Sequence, residues 1–268
     1  MKSVPFVKAT ACGNDFLLVE AKDVDGDKVE FTRQICDRHH GVGADGVEWL
    51  SPATNADLEI HLINADGSSA EISGNGTRCA AAHWFSGKKI ADKKLDRVTI
   101  QTDAGPKICN LIRRTDPDFE FETEMGQATV GDLLSVAVKT GPVQGIPVSI
   151  GNPHYVIFVD NFPPNWQHQA AQIGAHAHFP QGVNVELVKV ISEEAVEIRI
   201  YERGAGETQS SGTGSCASAV AAIATGRARS PLRVVATGGP QTVRWENGEI
   251  YLRGPARIIS HGEFLWAA

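Results

Sequence analysis

One short pattern occurs twice in this chain and limits what the chain can fold into. Ser73-Gly-Asn-Gly-Thr is matched by Ser211-Gly-Thr-Gly-Ser, 138 positions further on (211 − 73). Each copy follows an alternating apolar run, residues 58–63 and 196–201, and each opens an alanine-rich segment that reads as a helix. The helices stop near Gly87 and at Gly226. A repeat at half the chain length predicts two similar lobes, and 268 residues suffice for each to bury its own core. Strand, Gly-rich turn and helix start together make an anion site, because the first helical N–H groups lack internal partners and carry the positive end of the dipole. If the lobes face each other, both helix starts point at one carboxylate. That suits chemistry on the carbon beside it, with one side chain approaching from each face. An uncharged helix cap is the plainer reading of either copy alone.

Further motifs surround the repeat: Gly13-Asn-Asp-Phe16, Asn64-Ala-Asp-Gly-Ser68, Gly151-Asn-Pro-His154 and Glu202-Arg-Gly-Ala-Gly-Glu-Thr208. As a set and in this order, they resemble diaminopimelate epimerase from about Lys8 to the end. The resemblance implies an α+β fold of two pseudo-symmetric lobes, each a curved, mostly antiparallel sheet around a central helix, with the active site between them. It implies a cofactor-independent enzyme that interconverts LL- and meso-diaminopimelate by two-base proton transfer, on the route to lysine and cell-wall peptide. It also implies a homodimer. The family carries a cysteine before each Gly-x-Gly turn, and those two thiols are its acid and base. Here both positions are serine, Ser73 and Ser211.

The same resemblance assigns the remaining roles. His154 lies near the second catalytic position. Asn14 helps hold the reacting amino group, and Glu202 contacts that group and assists the base. Arg203 grips the distal carboxylate, where a guanidinium fork suits bidentate binding. Asn64, Asn152 and Asn184 read the far end of the substrate, while Gly74, Asn75, Gly212 and Thr213 supply backbone N–H groups. Gly46 stands where some members place a glutamine. Residue by residue, the plainer readings are an Asn-Asp turn for Asn14, a packed histidine for His154, and a solvated strand-end ion pair for Glu202 and Arg203.

Composition narrows the partners. A formal net charge of −7 and a pI near 5.7 give no footing for nucleic acid or a membrane surface. The start lacks the apolar segment of a signal peptide, and no apolar run is long enough to span a bilayer, so a cytoplasmic protein is expected. Five cysteines, an odd number without a Cys-x-x-Cys pair, read as reduced thiols. Among nine histidines only His39-His40 and His176-Ala-His178 are close sets. Neither has zinc-like spacing, and no metal or other cofactor is expected.

In chain order, strands are expected at 4–7 and 16–20 around a loop at 9–15, then at 58–64, 98–102 and 107–113. In the second half they are expected at 147–150, 155–159, 183–190, 196–201, 232–236, 241–246, 249–253 and 257–260. Short helices are expected at 31–38 and 166–173. The polar, proline-bearing stretch 115–118 marks the boundary, giving lobes 1–116 and 117–257, and the resemblance implies that 258–268 returns to the first lobe. The lysine pairs at 88–89 and 93–94 read as a solvated turn.

Inverting an α-carbon without a cofactor needs a base on one face, an acid on the other, and stabilisation of the developing carbanion. A cysteine, with pKa ~8.5, is brought near neutrality by a helix N-terminus. A serine hydroxyl is several units less acidic, which costs on the order of 10³-fold or more in rate. The chain as written is therefore expected to be inactive or badly slowed. Three explanations fit: both sites changed by design, a natural relative that lost activity, or serine serving another reaction on this fold. A racemase of another polar amino acid and a non-catalytic amino-acid binding protein are the alternative functions. Cys12, in the Asn14 loop, could supply one thiol, although the resemblance places no catalytic residue there.

Overall fold

The computed structural model describes residues 2–87 and 96–267, so the two lysine pairs lie outside the described residues. The chain divides into two compact units, Met1–Thr123 with Gly254–Ala268, and Glu124–Arg253. The first contains β1 (Lys2–Ala11), β2 (Asn14–Glu20), α1 (Lys28–Cys36), β3 (Gly46–Ser51), β4 (Leu58–Asn64), β5 (Ser69–Ala70), α2 (Gly74–Ser86), β6 (Arg97–Thr102), β7 (Gly105–Thr115) and most of β8 (Asp118–Gln127). The second contains β9 (Thr129–Val130), β10 (Leu134–Val138), β11 (Gly141–Ser149), β12 (Pro153–Phe158), α3 (Trp166–Gly174), β13 (Asn184–Ser192), β14 (Ala195–Glu202), β15 (Gly206–Thr208), α4 (Gly212–Ala224), β16 (Leu232–Ala236) and β17 (Gly239–Glu246). The last strand, β18 (Glu249–Trp266), starts in the second unit and ends in the first.

Each unit is a mostly antiparallel sheet with its alanine-rich helix packed on one face. In the first, Cys79, Ala80, Ala81, Ala82 and Phe85 of α2 pack on Leu18, Leu62, Ile100 and Phe121. In the second, Cys216, Ala217 and the apolar run to Ala222 pack on Val156, Val188, Ile198 and Val234. A helix buried nearly all round must be apolar all round, and small side chains let the strands close on it. The outer faces are covered by α1, through Phe31 and Ile35 against Trp49 and Trp266, and by α3, through Trp166 and Ile173 against Tyr155 and Leu187. Both units contain the same parallel pair. Phe16 stands beside Gly46 in β2–β3, and His154 beside Asn184 in β12–β13, again at the 138-residue offset.

Several expected bounds move. The loop at 9–15 shrinks to Cys12-Gly13, because Val7, Ala9 and Ala11 keep the inward alternation of β1 and bury fully despite their small side chains. Cys12 and Gly13 both have positive φ (48° and 86°), and Ala11 pairs with Asn14, the geometry of a tight two-residue hairpin. The stretch at 115–118 is a hairpin turn, with Thr115 opposite Asp118, so the first unit runs on to Thr123 rather than ending at 116. The strands expected at 249–253 and 257–260 are one strand. Pro255 interrupts no needed hydrogen bond there, and β18 pairs first with β17 and then with β1. Strand β3 was not expected at all.

Candidate active site

In the first unit, Ser73 is the N-cap of α2. Its backbone is extended and its Oγ accepts from the Gly76 N–H at 3.1 Å. Behind it, Asn75 Nδ2 donates to Asn14 Oδ1 at 2.7 Å, and Asn14 Nδ2 donates to Asp45 Oδ2 at 2.9 Å. Arg78, buried to 1% exposure, donates to Asn75 Oδ1 and to the Pro255 carbonyl. Asp45 also receives Arg38, which bridges to Asp15, itself paired with Lys8. Asn14, Ser73, Gly74 and Asn75 are thus one framework held by charges that sequence reasoning did not single out. Asn64 ends β4 opposite Gly46 and donates to Ser68 Oγ at 3.0 Å.

The second unit repeats the plan. Ser211 caps α4, its Oγ accepting from the Gly214 N–H at 3.2 Å. Asn152 Nδ2 donates to Thr213 Oγ1 at 3.3 Å, the counterpart of the Asn75–Asn14 contact. His154 is 1% exposed; its Nδ1 lies 2.7 Å from Glu186 Oε1, and its Nε2 lies 3.0 Å from Asn152 Oδ1. Both ring nitrogens are therefore engaged, and neither is aimed at Ser211. Asn184 donates to the Pro153 carbonyl and accepts from the Arg203 backbone N–H at 2.9 Å. The Arg203 guanidinium reaches the Gln181 carbonyl at 2.9 Å. Glu202 ends β14 opposite Gly206. Asn152, His154, Asn184, Arg203, Ser211, Gly212 and Thr213 form a second cluster, with Glu202 at its edge.

Two buried carboxyls escaped the sequence reading, Glu48 on β3 and Glu186 on β13, both 0% exposed. They too are 138 apart (186 − 48), a signal that applying the repeat's offset to every charged residue would have found. A β-carbon added at Gly76 would lie 1.8 Å from Glu48 Oε1, and one at Gly214 would lie 2.9 Å from Glu186 Oε1. Glycine at the third position of each turn leaves room for a carboxyl under the helix start. Burial, with a smaller contribution from Asp103, pushes the Glu48 carboxyl up to about 8. Burial also raises Glu186; His154 opposes the rise and Glu202 adds to it. Burial raises the Cys12 thiol in spite of Arg78 beside it, which makes Cys12 a poor substitute base. Among the described residues no cluster of three or more His, Cys, Asp or Glu has the geometry to hold a metal ion. A cavity of about 500 Å³, lined in part by Phe6, Leu18, His83 and His261, contains none of the site residues.

The fold is shared with solved structures across almost the whole chain. A phenazine biosynthesis protein of the PhzF family from Bacillus anthracis matches with a TM-score of 0.76 at 15% identity, covering 99% of this chain and 100% of its own. A hydroxyproline epimerase from Agrobacterium vitis, solved with trans-4-hydroxy-L-proline bound, matches with a TM-score of 0.69 at 16% identity, covering 98% and 91%. These likenesses define an α+β class of proteins that includes epimerases. Within it, the chain belongs to the diaminopimelate epimerase family, whose profile matches residues 6–130 and 146–259. Relatives named diaminopimelate epimerase include those of Pelotomaculum thermopropionicum, 34% identical over 97% of this chain and 98% of the relative, and Sphingopyxis alaskensis, 36% identical over 98% and 97%.

Proposed function

We propose that this protein is a cofactor-independent epimerase acting on diaminopimelate, with Ser73 and Ser211 at the two proton-transfer positions. The observation that carries this reading is the doubled cap. In each unit a serine heads a buried helix, with a Gly-x-Gly turn behind it and an amide side chain locked to the second helical residue. Dipole and N–H groups at such a helix start favour the negative charge that develops when a carbon beside a carboxylate loses its proton. Each serine oxygen is already an acceptor there, so it is held in one rotamer. Asn64, Asn152, Asn184 and Arg203 read the distal amino-acid group in this proposal, and Asn14 and Glu202 hold the reacting amine. The reading also makes the protein a cytoplasmic homodimer, which light scattering on the purified chain checks.

The decisive experiment restores the thiols. Ser73→Cys/Ser211→Cys should raise the rate of LL- to meso-diaminopimelate conversion on the order of 10³-fold, without added metal or pyridoxal phosphate. Each single change should gain far less, because inversion needs both faces. A double variant no faster than the native chain would sink the epimerase reading and favour an amino-acid binding protein.

A further inference from the structure

Glu48 is a buried carboxyl with no task in the fold. Both of its oxygens lack a hydrogen-bond partner among the described residues, although it is 0% exposed. A buried polar group left without a hydrogen bond destabilises the fold, so chance packing does not explain it well. Its neighbours supply no counter-charge. Leu18 of β2 and Leu62 of β4 stand beside it in the sheet. From α2 it meets Gly76 and, more distantly, the Cys79 thiol, whose own ionisation burial suppresses. From the turn after β6 it feels Asp103, a like charge that is itself paired with His61.

What it does approach is Ser73. The point where a Gly76 β-carbon would sit is 1.8 Å from Glu48 Oε1 and 3.3 Å from Ser73 Cβ, so these two atoms are at most 5.1 Å apart. The Ser73 Oγ accepts from the Gly76 N–H, and among the described residues no hydrogen bond is donated by its hydroxyl. An acceptor without a donor and a hydroxyl with its proton unplaced thus flank one glycine, at a separation that a single bridging water can span.

Resting on the epimerase reading, we propose that Glu48 is a positioning residue that stores the proton delivered through Ser73. In the donating direction the Glu48 O–H bond breaks and its proton goes to Ser73 Oγ. The original Ser73 O–H bond breaks at the same time, and that proton forms the new C–H bond with the substrate carbanion's electron pair. Glu48 is left as a carboxylate. In the opposite direction Ser73 takes the α-proton and passes its own to the Glu48 carboxylate. The charge comes to rest on a carboxylate rather than on a serine alkoxide, which is the part of the reaction a serine cannot support alone. In the second unit Oε1 of the equivalent Glu186 is held by His154 and only its Oε2 lacks a partner, so the carboxyl with neither oxygen partnered belongs to the Ser73 face.

The test follows diaminopimelate inversion and α-deuterium incorporation in D2O from pH 6 to 10, using the unaltered chain, E48Q, E48D, S73C, S73C/E48Q and S73C/S211C. E48Q should lower kcat by about 100-fold or more while KM moves less than about threefold, the scale of a lost general acid. It should also abolish the fall in rate above about pH 8, and E48D should recover part of the rate. In the S73C background, where the thiol carries the proton itself, E48Q should change kcat less than about threefold. Equal losses in both backgrounds assign Glu48 a purely structural role and overturn the proposal, as does an unchanged rate in E48Q. A native chain that is inert while S73C/S211C is active also overturns it, leaving the family activity intact. If S73C/S211C is inert as well, both readings fail together.

Discussion

Glu48 and Glu186 occupy the same place in their two units, yet one has no partner and the other holds His154 at 2.7 Å. The same backbone plan therefore hosts two different solutions to a buried carboxyl. At Phe16 the first unit has an apolar side chain where the second has His154, and this one difference decides whether the carboxyl below has a polar partner. A repeat fixes where groups stand but not how they are charged.

The comparison breaks most readily on stability. Glu186→Met should destabilise the fold by about 3–5 kcal/mol, because it leaves His154 buried without its partner. Glu48→Met should stabilise it by about 1–3 kcal/mol, the penalty of the unmade hydrogen bond. Urea unfolding of the two variants reads both, and changes of the same sign would end the contrast.

A pH series sharpens it. The unfolded Glu48 titrates in the ordinary glutamate range, while burial holds the folded group up to about 8. The folded state therefore keeps a proton that the unfolded state has lost. This contribution to stability is fully present below the unfolded value and is lost as pH rises toward 8, by at most about 1.4 kcal/mol per unit. Glu48→Gln should flatten the fall in unfolding free energy between pH 5 and pH 8. Identical slopes for the native chain and Glu48→Gln would show that Glu48 ionises normally.

The smallest effect concerns the two glycines. Gly76→Ala drives a β-carbon onto Glu48 Oε1 and should cost about 1–3 kcal/mol. Gly214→Ala meets Glu186 at 2.9 Å and should cost less. In a Glu48→Ala background the Gly76→Ala penalty should vanish, leaving the modest gain of alanine over glycine in a helix, about 0.5–1 kcal/mol. Thermal melts of the four proteins would expose a persistent penalty.

The two clusters differ in how much of them the sequence reveals. Ser73 and Ser211 were legible because a polar cap, two glycines and an alanine run announce a helix start without reference to anything distant. Asn14, Asn152, Asn184 and Arg203 were legible through a motif set, though not through local propensity. Glu48 was overlooked because a lone glutamate between Val47 and Trp49 carries no local mark of burial. Its offset from Glu186 is the only hint in the sequence, and the close approach of Gly76, 28 residues away (76 − 48), agrees with its inward place in the structure. Strand β3 was missed for a related reason: it is buried on both faces, so it lacks the alternation that marks β4. His154 was found, but its engagement by Glu186 depends on the parallel register of β12 and β13, which no local pattern encodes.

The doubled cap has an evolutionary consequence. The group that would exchange a proton with substrate is also the bolt that fastens each buried helix, since Ser73 and Ser211 satisfy the Gly76 and Gly214 amides. Sulfur is the weaker acceptor, so a lineage that trades a thiol for a hydroxyl at either position gains fold robustness as it surrenders chemistry. The reverse step loses robustness before a second, matching step can restore the chemistry. Paired positions of this kind behave as a ratchet, and a sequence that has passed both teeth is held there by its own stability.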